Sequence, residues 1–331
     1  MKTAKIGVMI GDPGGIGPEV SVKALLAAAS RQDGDAVLVG DVAAVEAAAR
    51  AVGANLPVVA VETPEEARGR AIIPVIACGA LQAGDFEIGK PSAASGRAVK
   101  AWMDRASALS QQGVLDGWIM GPINTQSMRM ARVVEDLDDL QPKDTFMLRM
   151  SGPLRVVPIG EHLRIRDIAA SVTHERICHV ARLADRHLRR WGLDTPRLAV
   201  AGLNPHAMFE EDSDIIAPAV EALRAEGLTI EGPISPDSVF RKCIEGNYDA
   251  IVSMYHDQGQ IALKTAAFEG ACTVYLGLDY VHLSVPHGTA FDIAGKGFAQ
   301  HGSMTAAIRT ASMLASGRGF LAPTDTQGEA R

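Results

Sequence analysis

The 331-residue chain has little cysteine, no basic excess and no long apolar run, and each shortage removes a class of function. Its four cysteines, Cys78, Cys178, Cys243 and Cys272, form no CxxC pair, so a disulfide framework is not expected. Lysine and arginine number 32 against 39 aspartates and glutamates, a formal charge of −7. That balance disfavours nucleic acid and anionic membrane as partners, because phosphate polymers are held by a basic face. The basic cluster over 182–190 falls on a predicted helix and reads as a solvated face. The longest apolar run, 71–81, contains Pro74 and is too short to span a bilayer. No signal-peptide pattern follows the two lysines at the start. The expectation is a soluble, cytoplasmic protein. No Pro/Gly/Ser linker, repeat or low-complexity segment divides it, so two domains would have to interleave.

What is present is ordinary globular usage, 47% apolar and 21% charged, in a chain long enough to bury a full core. A metal is not needed merely to fold, so a metal site would serve function. Short β-rich runs are predicted over 6–10, 36–39, 58–61, 72–76, 118–120, 145–150, 154–159, 198–201, 250–254 and 272–276. Amphipathic helices are predicted over 18–30, 42–52, 95–111, 174–191, 214–226 and 302–315, with Gly192 as a C-cap. Strand–helix alternation on this scale predicts an α/β protein with largely parallel sheets.

Three segments share one design, an apolar strand running into a loop that presents a histidine: 156–162 ending in His162, 199–206 ending in His206, and 251–256 ending in His256. The carboxyl ends of strands line the ligand crevice of open α/β sheets. Imidazoles delivered there fit an open metal site, in which nitrogen donors favour zinc or a late first-row metal over magnesium. Three strand-end hydrogen bonders without a metal remain the alternative. Asp257 is placed either to orient His256 or to cap the next helix. His174 and His179 resemble a zincin pair, but their spacing is five and their rings point apart.

Two glycine-rich loops follow strands. GDPGGIGPEV at 11–20 opens a helix, but its glycines fall at 11, 14, 15 and 17 rather than as GxGxxG. It reads either as a backbone turn that a ligand approaches or as a tight structural turn. HGTAFDIAGKG at 287–297 sets the Asp292 carboxylate among small residues, suiting ribose hydroxyls and a flat adenine. No Walker lysine follows the first loop, and no serine or cysteine stands in a nucleophile motif, which disfavours phosphoryl or acyl transfer.

GDPGGIGPEV, GLNPHA, MYHDQGQIALK and HGTAFDIAGKG stand in one order across nearly the whole chain, and their combination resembles the 4-hydroxythreonine-4-phosphate dehydrogenases of vitamin B6 synthesis and their catabolic relatives. The last motif is also similar to the cofactor loop of isopropylmalate dehydrogenases, which share the fold. The resemblance implies a homodimer of subunits with two interleaved α/β domains. Residues 1–127 with 275–331 would bind NAD, or NADP, and residues 128–274 would carry metal, substrate and dimerisation. A divalent metal, zinc first, would be held by His162 and His206 of one subunit and His256 of the other. His287, Gly288, Ala290, Asp292 and Ala294 would hold the adenosine part of the nucleotide. Lys264 and Asp257 would be the catalytic residues, and Lys264, Thr273 and His282 would meet the substrate. The implied reaction is oxidation of a small hydroxy acid with decarboxylation.

The departures from that pattern gather on substrate recognition. The family's Gly-His-Thr-Glu segment is missing, since residues 125–145 contain no histidine. Thr125 stands where a lysine is usual, Thr273 where an asparagine is, and His282 where an arginine is. A phosphate dianion is bound by Arg, Lys and backbone donors, so the expected substrate is a non-phosphorylated carboxylate or diol acid. Arg129, Arg132 and Arg149 are candidates for a replacement positive site. The alternatives are the phosphorylated hydroxythreonine or threonate, the cis-dihydrodiol of terephthalate, and a non-catalytic metabolite binder.

Overall fold

A computed structural model describes residues 3–29, 35–135, 137–266 and 271–320. The chain divides into two compact units, one built from Met1–Lys143 with Leu278–Ser316, the other from Asp144–Gly277 with the segment from Gly317. The first unit begins with strands β1 (Lys5–Met9), β2 (Asp35–Gly40), β3 (Val58–Ala60), β4 (Ile73–Ala77) and β5 (Gly117–Met120), with helices α1 (Gly17–Ala29), α2 (Val42–Ala51), α3 (Ala93–Gln111) and α4 (Thr125–Met130). The second holds β6 (Phe146–Ser151), β7 (Leu154–Pro158), β8 (Arg197–Ala201), β9 (Thr229–Ile234), β10 (Ala250–Ser253) and β11 (Cys272–Leu276). Its helices are α5 (Ile165–Ser171), α6 (His174–Arg190), α7 (Ala217–Ala225), α8 (Val239–Ile244) and α9 (His256–Ala266). The chain then returns to the first unit for β12 (Val281–Ser284) and α10 (Gly302–Ala315).

Within the first unit the strand order is β3-β4-β2-β1-β5-β12, parallel throughout. Within the second it is β11-β6-β7-β10-β8-β9. There β6 runs antiparallel to both β7 and β11, and the remaining pairs are parallel. The central strands are apolar on both faces, as parallel strands covered by helices must be. Ile6, Val8 and Met9 of β1 and Ala250, Ile251 and Val252 of β10 are all fully buried.

Helix α6 shows how sequence dictates the local structure. Thr173 Oγ1 accepts from the Arg176 amide at 3.2 Å as its N-cap, and Arg189 and Arg190 stand in the last turn. Ile177, Val180, Ala181, Ala184 and Leu188 form the buried stripe. The chain leaves through Gly192 at φ +110, as the C-cap glycine requires.

All ten predicted strands form, with bounds within a residue of expectation, and the largely parallel α/β class holds. The sequence reading missed β9, β12, α9 and the short helices α4, α5 and α8. Strand β9 carries Gly232-Pro233 on the sheet edge, where ladder demands are weakest. Helix α9 starts at His256 itself, inside the segment read as a loop. The last residue of the helix predicted over 18–30, and the end of the 275–331 segment, lie outside the described residues.

Candidate functional site

The three histidine segments leave one edge of the second unit's sheet. Strands β7, β10 and β8 are neighbours in that order, in parallel, with Ser253 beside Pro158 and Val252 beside Val200. Their carboxyl ends therefore emerge together. Beneath them Val156, Ala199, Ala201 and Ile251 of these strands join Val239 of α8 and Leu263 of α9 in one core cluster, which fixes the spacing of the loops above.

At that edge Glu161, His162 and His256 come together, each with a ligand-capable atom within 4.8 Å of the others. The rings of His162 and His256 lie 5.4 Å apart between centroids. The resemblance assigned these two histidines to different subunits, yet one chain brings them together. His256 Nδ1 lies 2.7 Å from Asp257 Oδ1. An ionised carboxylate only accepts, so the Nδ1 proton points at Asp257 and Nε2 is left as the donor to a cation. Asp257 thus acts on His256.

His206 is exposed and stands outside that group. It occupies left-handed backbone at φ +58, and Ala207 follows at φ +52, which costs a side-chain-bearing residue energy. The loop is held by the fully buried Asp212, whose carboxylate accepts from the amides of Leu203 (2.8 Å) and Phe209 (3.3 Å) and from Asn204 Nδ2 (3.2 Å). Gln258 ties two histidine segments together: its Oε1 accepts from the Met254 amide at 2.7 Å and its Nε2 donates to the Gly202 carbonyl at 2.8 Å. Sequence reading assigned no role to Glu161, Asp212 or Gln258. The available signals were the adjacency of Glu161 to His162 and the place of Gln258 inside MYHDQGQIALK.

The remaining substrate candidates scatter. Lys264 is exposed on α9, eight residues and about 12 Å of helix rise beyond His256. Thr273 on β11 sits opposite Arg149 on β6. Arg149 is no open anion site: its side chain is buried, and both Nη atoms bind Glu161, at 2.8 and 2.9 Å. Arg129 donates to the Glu135 carbonyl at 3.0 Å, in the other unit. His282 requires a correction. It is 2% exposed on β12 and stacks on Trp118 with ring centroids 3.9 Å apart. Burial drives its pKa down to about 3, so the ring is neutral and packed in the sheet, unsuited to an anionic substrate.

The nucleotide candidates lie in the first unit, on the loop between β12 and α10. It is pinned from several sides. The Ile16 amide donates to the Thr289 carbonyl at 2.9 Å, Lys23 Nζ to the carbonyls of Gly297 (2.6 Å) and Ala299 (2.9 Å), and the Gly297 amide to Glu19 Oε2 at 3.0 Å. Ala290 turns at φ +40, Ala294 packs inward, and Gly288 and Asp292 are exposed. The His287 ring, kept neutral by burial, directs Nδ1 at the Gly288 carbonyl, while its buried Nε2 has no hydrogen-bond partner. An unpartnered acceptor of this kind fits a ligand bearing N–H or O–H groups. A shallow open recess reaches the loop at Gly295, lined by Pro13, Pro18, Ala44, Ala48, Phe86 and Ile88. The first glycine loop is a tightly packed turn. Residues 10–20 are buried, and a Cβ at Gly15 would lie 2.8 Å from both Cβ and the carbonyl oxygen of Thr289. Gly15 thus admits the second loop's backbone, while Pro13 and Pro18 of the same turn line the recess.

The chain was compared with known proteins. The family model described as pyridoxal phosphate biosynthetic protein PdxA matches residues 32–311. A Novosphingobium aromaticivorans protein, named provisionally as a 4-hydroxythreonine-4-phosphate dehydrogenase, is 45% identical over 95% of this chain and 96% of its own. The D-threonate 4-phosphate dehydrogenase of Cupriavidus necator is 36% identical over 95% of this chain and 98% of its own. Among solved structures, a 4-hydroxythreonine-4-phosphate dehydrogenase from Burkholderia phymatum aligns with a TM-score of 0.84 at 31% identity, over 95% of this chain and 99% of that one. These relatives are named as dehydrogenases, and matches of this length and identity make the chain a member of the PdxA family.

Proposed function

We propose that the protein is a divalent-metal- and NAD-dependent dehydrogenase that oxidises a small hydroxy acid, with decarboxylation of the keto acid formed. The observation that carries this reading is the approach of His162 and His256, with a carboxylate beside them, at the ends of adjacent parallel strands. His162 and His256 would hold the cation through ring nitrogens, and Asp257 sets the His256 tautomer that leaves Nε2 free to bind. A cation in such a seat supplies Lewis acidity to a coordinated hydroxyl and carboxylate, and NAD supplies the hydride acceptor. His287, Gly288 and Asp292 would meet the adenosine part of NAD, or of NADP, on a loop pre-set by Glu19, Lys23 and Ile16.

The substrate reading favours an acid without a phosphate. Arg149 is committed to Glu161 and His282 is buried and neutral, so two positions that would meet a dianion offer it nothing. The phosphorylated threonate or hydroxythreonine is the second reading, supported by the names of relatives at 36% and 45% identity.

The proposal includes a homodimer with a shared active site. Leu163, Ile165, Met208, Phe209 and Ile261 are large exposed apolar residues that follow the three histidines in sequence, and Ile165 is 85% exposed. Exposed apolar side chains following each of the three histidines support a partner surface there, and a second copy would bring Lys264 onto it as the proton-handling and substrate-binding lysine. Cytoplasmic residence is part of the reading, supported by four free thiols. No helix among the described residues is long and apolar enough to cross a membrane.

The test is NADH formation with non-phosphorylated 2,3-hydroxy acids, dihydrodiol acids and phosphorylated threonate. Turnover of a non-phosphorylated acid, stopped by chelator, restored by zinc, cobalt or manganese and accompanied by carbon dioxide release, is expected. Turnover confined to the phosphorylated acids would favour the second reading. Silence across the panel, with cation and NAD both bound, would contradict both.

A further inference from the structure

The Arg149–Glu161 pair is the most heavily committed charged group beside the histidines, and the proposed function gives it no task. Glu161 precedes His162 on the loop leaving β7, and its carboxylate lies within 4.8 Å of donor atoms on both His162 and His256. Arg149 reaches it from β6 as a bidentate fork at 2.8 and 2.9 Å. The two side chains are only 9% and 19% exposed, so the pair forfeits much of its hydration. A buried ion pair is an inefficient way to stabilise a fold, since an apolar pair of similar volume often does as well or better. A purely structural pair also has no reason to stand within reach of two imidazoles.

We propose that Glu161 is an oxygen donor of the cation seat beside the two imidazoles, and that Arg149 is the positioning residue that presents it. The inference rests on the reading that His162 and His256 bind a cation. A carboxylate offers about four lone-pair sites and the guanidinium fork takes two, so the others stay open to a metal. Donors sharing one tetrahedral cation at ordinary bond lengths stand roughly 3.4 Å apart, so the three side chains would draw together on binding. Arg149 offsets the carboxylate's charge, so the seat binds less tightly than a lone Glu would allow and remains exchangeable. A mixed nitrogen and oxygen donor set also admits manganese, iron(II) and cobalt along with zinc, a wider class than three imidazoles select.

The experiment is a cobalt(II) titration of the chelator-treated full chain, read by calorimetry and by visible d–d absorption. Glu161→Gln is compared with the double substitution Arg149→Met/Glu161→Gln, which leaves no buried charge unpaired and keeps the fold testable, and with His256→Ala. Loss of at least tenfold in affinity and an altered spectrum in both Glu161 variants, with loss in His256→Ala, is expected. Native-like binding and spectra in both Glu161 variants, with binding lost only in His256→Ala, would overturn the proposal and leave the histidine seat standing. Unchanged binding in all three would overturn the seat as well.

Discussion

Replacing Asp212 tests whether the His206 loop is held in place or merely rests there. Asp212 is fully buried, and its two oxygens accept from Leu203 N, Asn204 Nδ2 and Phe209 N at 2.8, 3.2 and 3.3 Å. Hydrogen bonds to a charged acceptor contribute about 1.5–3 kcal/mol each when short and less when long. The Leu203 bond is the strong one, the Phe209 bond is weak, and Asn204 retains Glu211 at 2.9 Å as a second partner. Together they amount to about 4 kcal/mol before relaxation. Their loss would let His206 and Ala207 leave the left-handed region, returning ~1 kcal/mol for each. Asp212→Ala is therefore expected to destabilise the protein by about 2 kcal/mol, and Asp212→Asn, which keeps one acceptor oxygen for Leu203, by roughly half of that. Urea unfolding followed by circular dichroism gives the numbers, and limited proteolysis of Asp212→Ala should cut within 203–209. A loss below 0.5 kcal/mol (about the scatter of surface substitutions), or an Asn variant weaker than the Ala variant, would refute the account of this loop.

Three other expectations follow from named contacts. His282 has a pKa near 3 in the fold against about 6.5 unfolded, so below pH 6.5 the unfolded chain takes the proton first. Its contribution is fully present above pH 6.5 and is lost toward pH 3 at up to ~1.4 kcal/mol per pH unit; His282→Phe, which keeps the stack on Trp118, should flatten the stability profile between pH 7 and 5 (about the range in which an unperturbed histidine titrates), and an unchanged profile would show that His282 does not set it. Gly15→Ala drives a methyl into the Thr289 backbone and should cost about 1–3 kcal/mol and weaken NAD binding, both measurable by thermal shift with and without NAD; full NAD stabilisation in this variant would mean that the two loops are uncoupled. Asp257→Asn should reduce cobalt affinity about tenfold while leaving the melting temperature near that of the parent, because Asp257 is exposed and pairs with His256. Unchanged affinity would remove Asp257 from the seat.

Much of this arrangement is legible in the sequence. The apolar runs ending in His162, His206 and His256 announce strands whose ends share an edge, and β7, β10 and β8 are indeed neighbours. The sheet class follows from the same alternation of runs and amphipathic stretches. What sequence could not supply was the partner of each charge. Arg149 looks like a free cation in the sequence, and only the antiparallel pairing of β6 with β7 brings it to Glu161. His282 looks like a substituted arginine, and only the burial of β12 against Trp118 shows it to be a packing residue. The packing of the first glycine loop was hidden too, because its contact with the second loop, Gly15 against Thr289, joins residues far apart in the chain. Asp212 escaped notice within a run of acidic residues, since its neighbours Glu210 and Glu211 are chemically alike and burial alone distinguishes it.

The most direct measurement is anomalous diffraction from crystals soaked in zinc or cobalt, with data collected on both sides of the metal's absorption edge. The account predicts a strong peak at bonding distance, about 2.1 Å, from ring nitrogens of His162 and His256. A fully occupied metal elsewhere on the chain, with those two rings turned away from any peak, would contradict it.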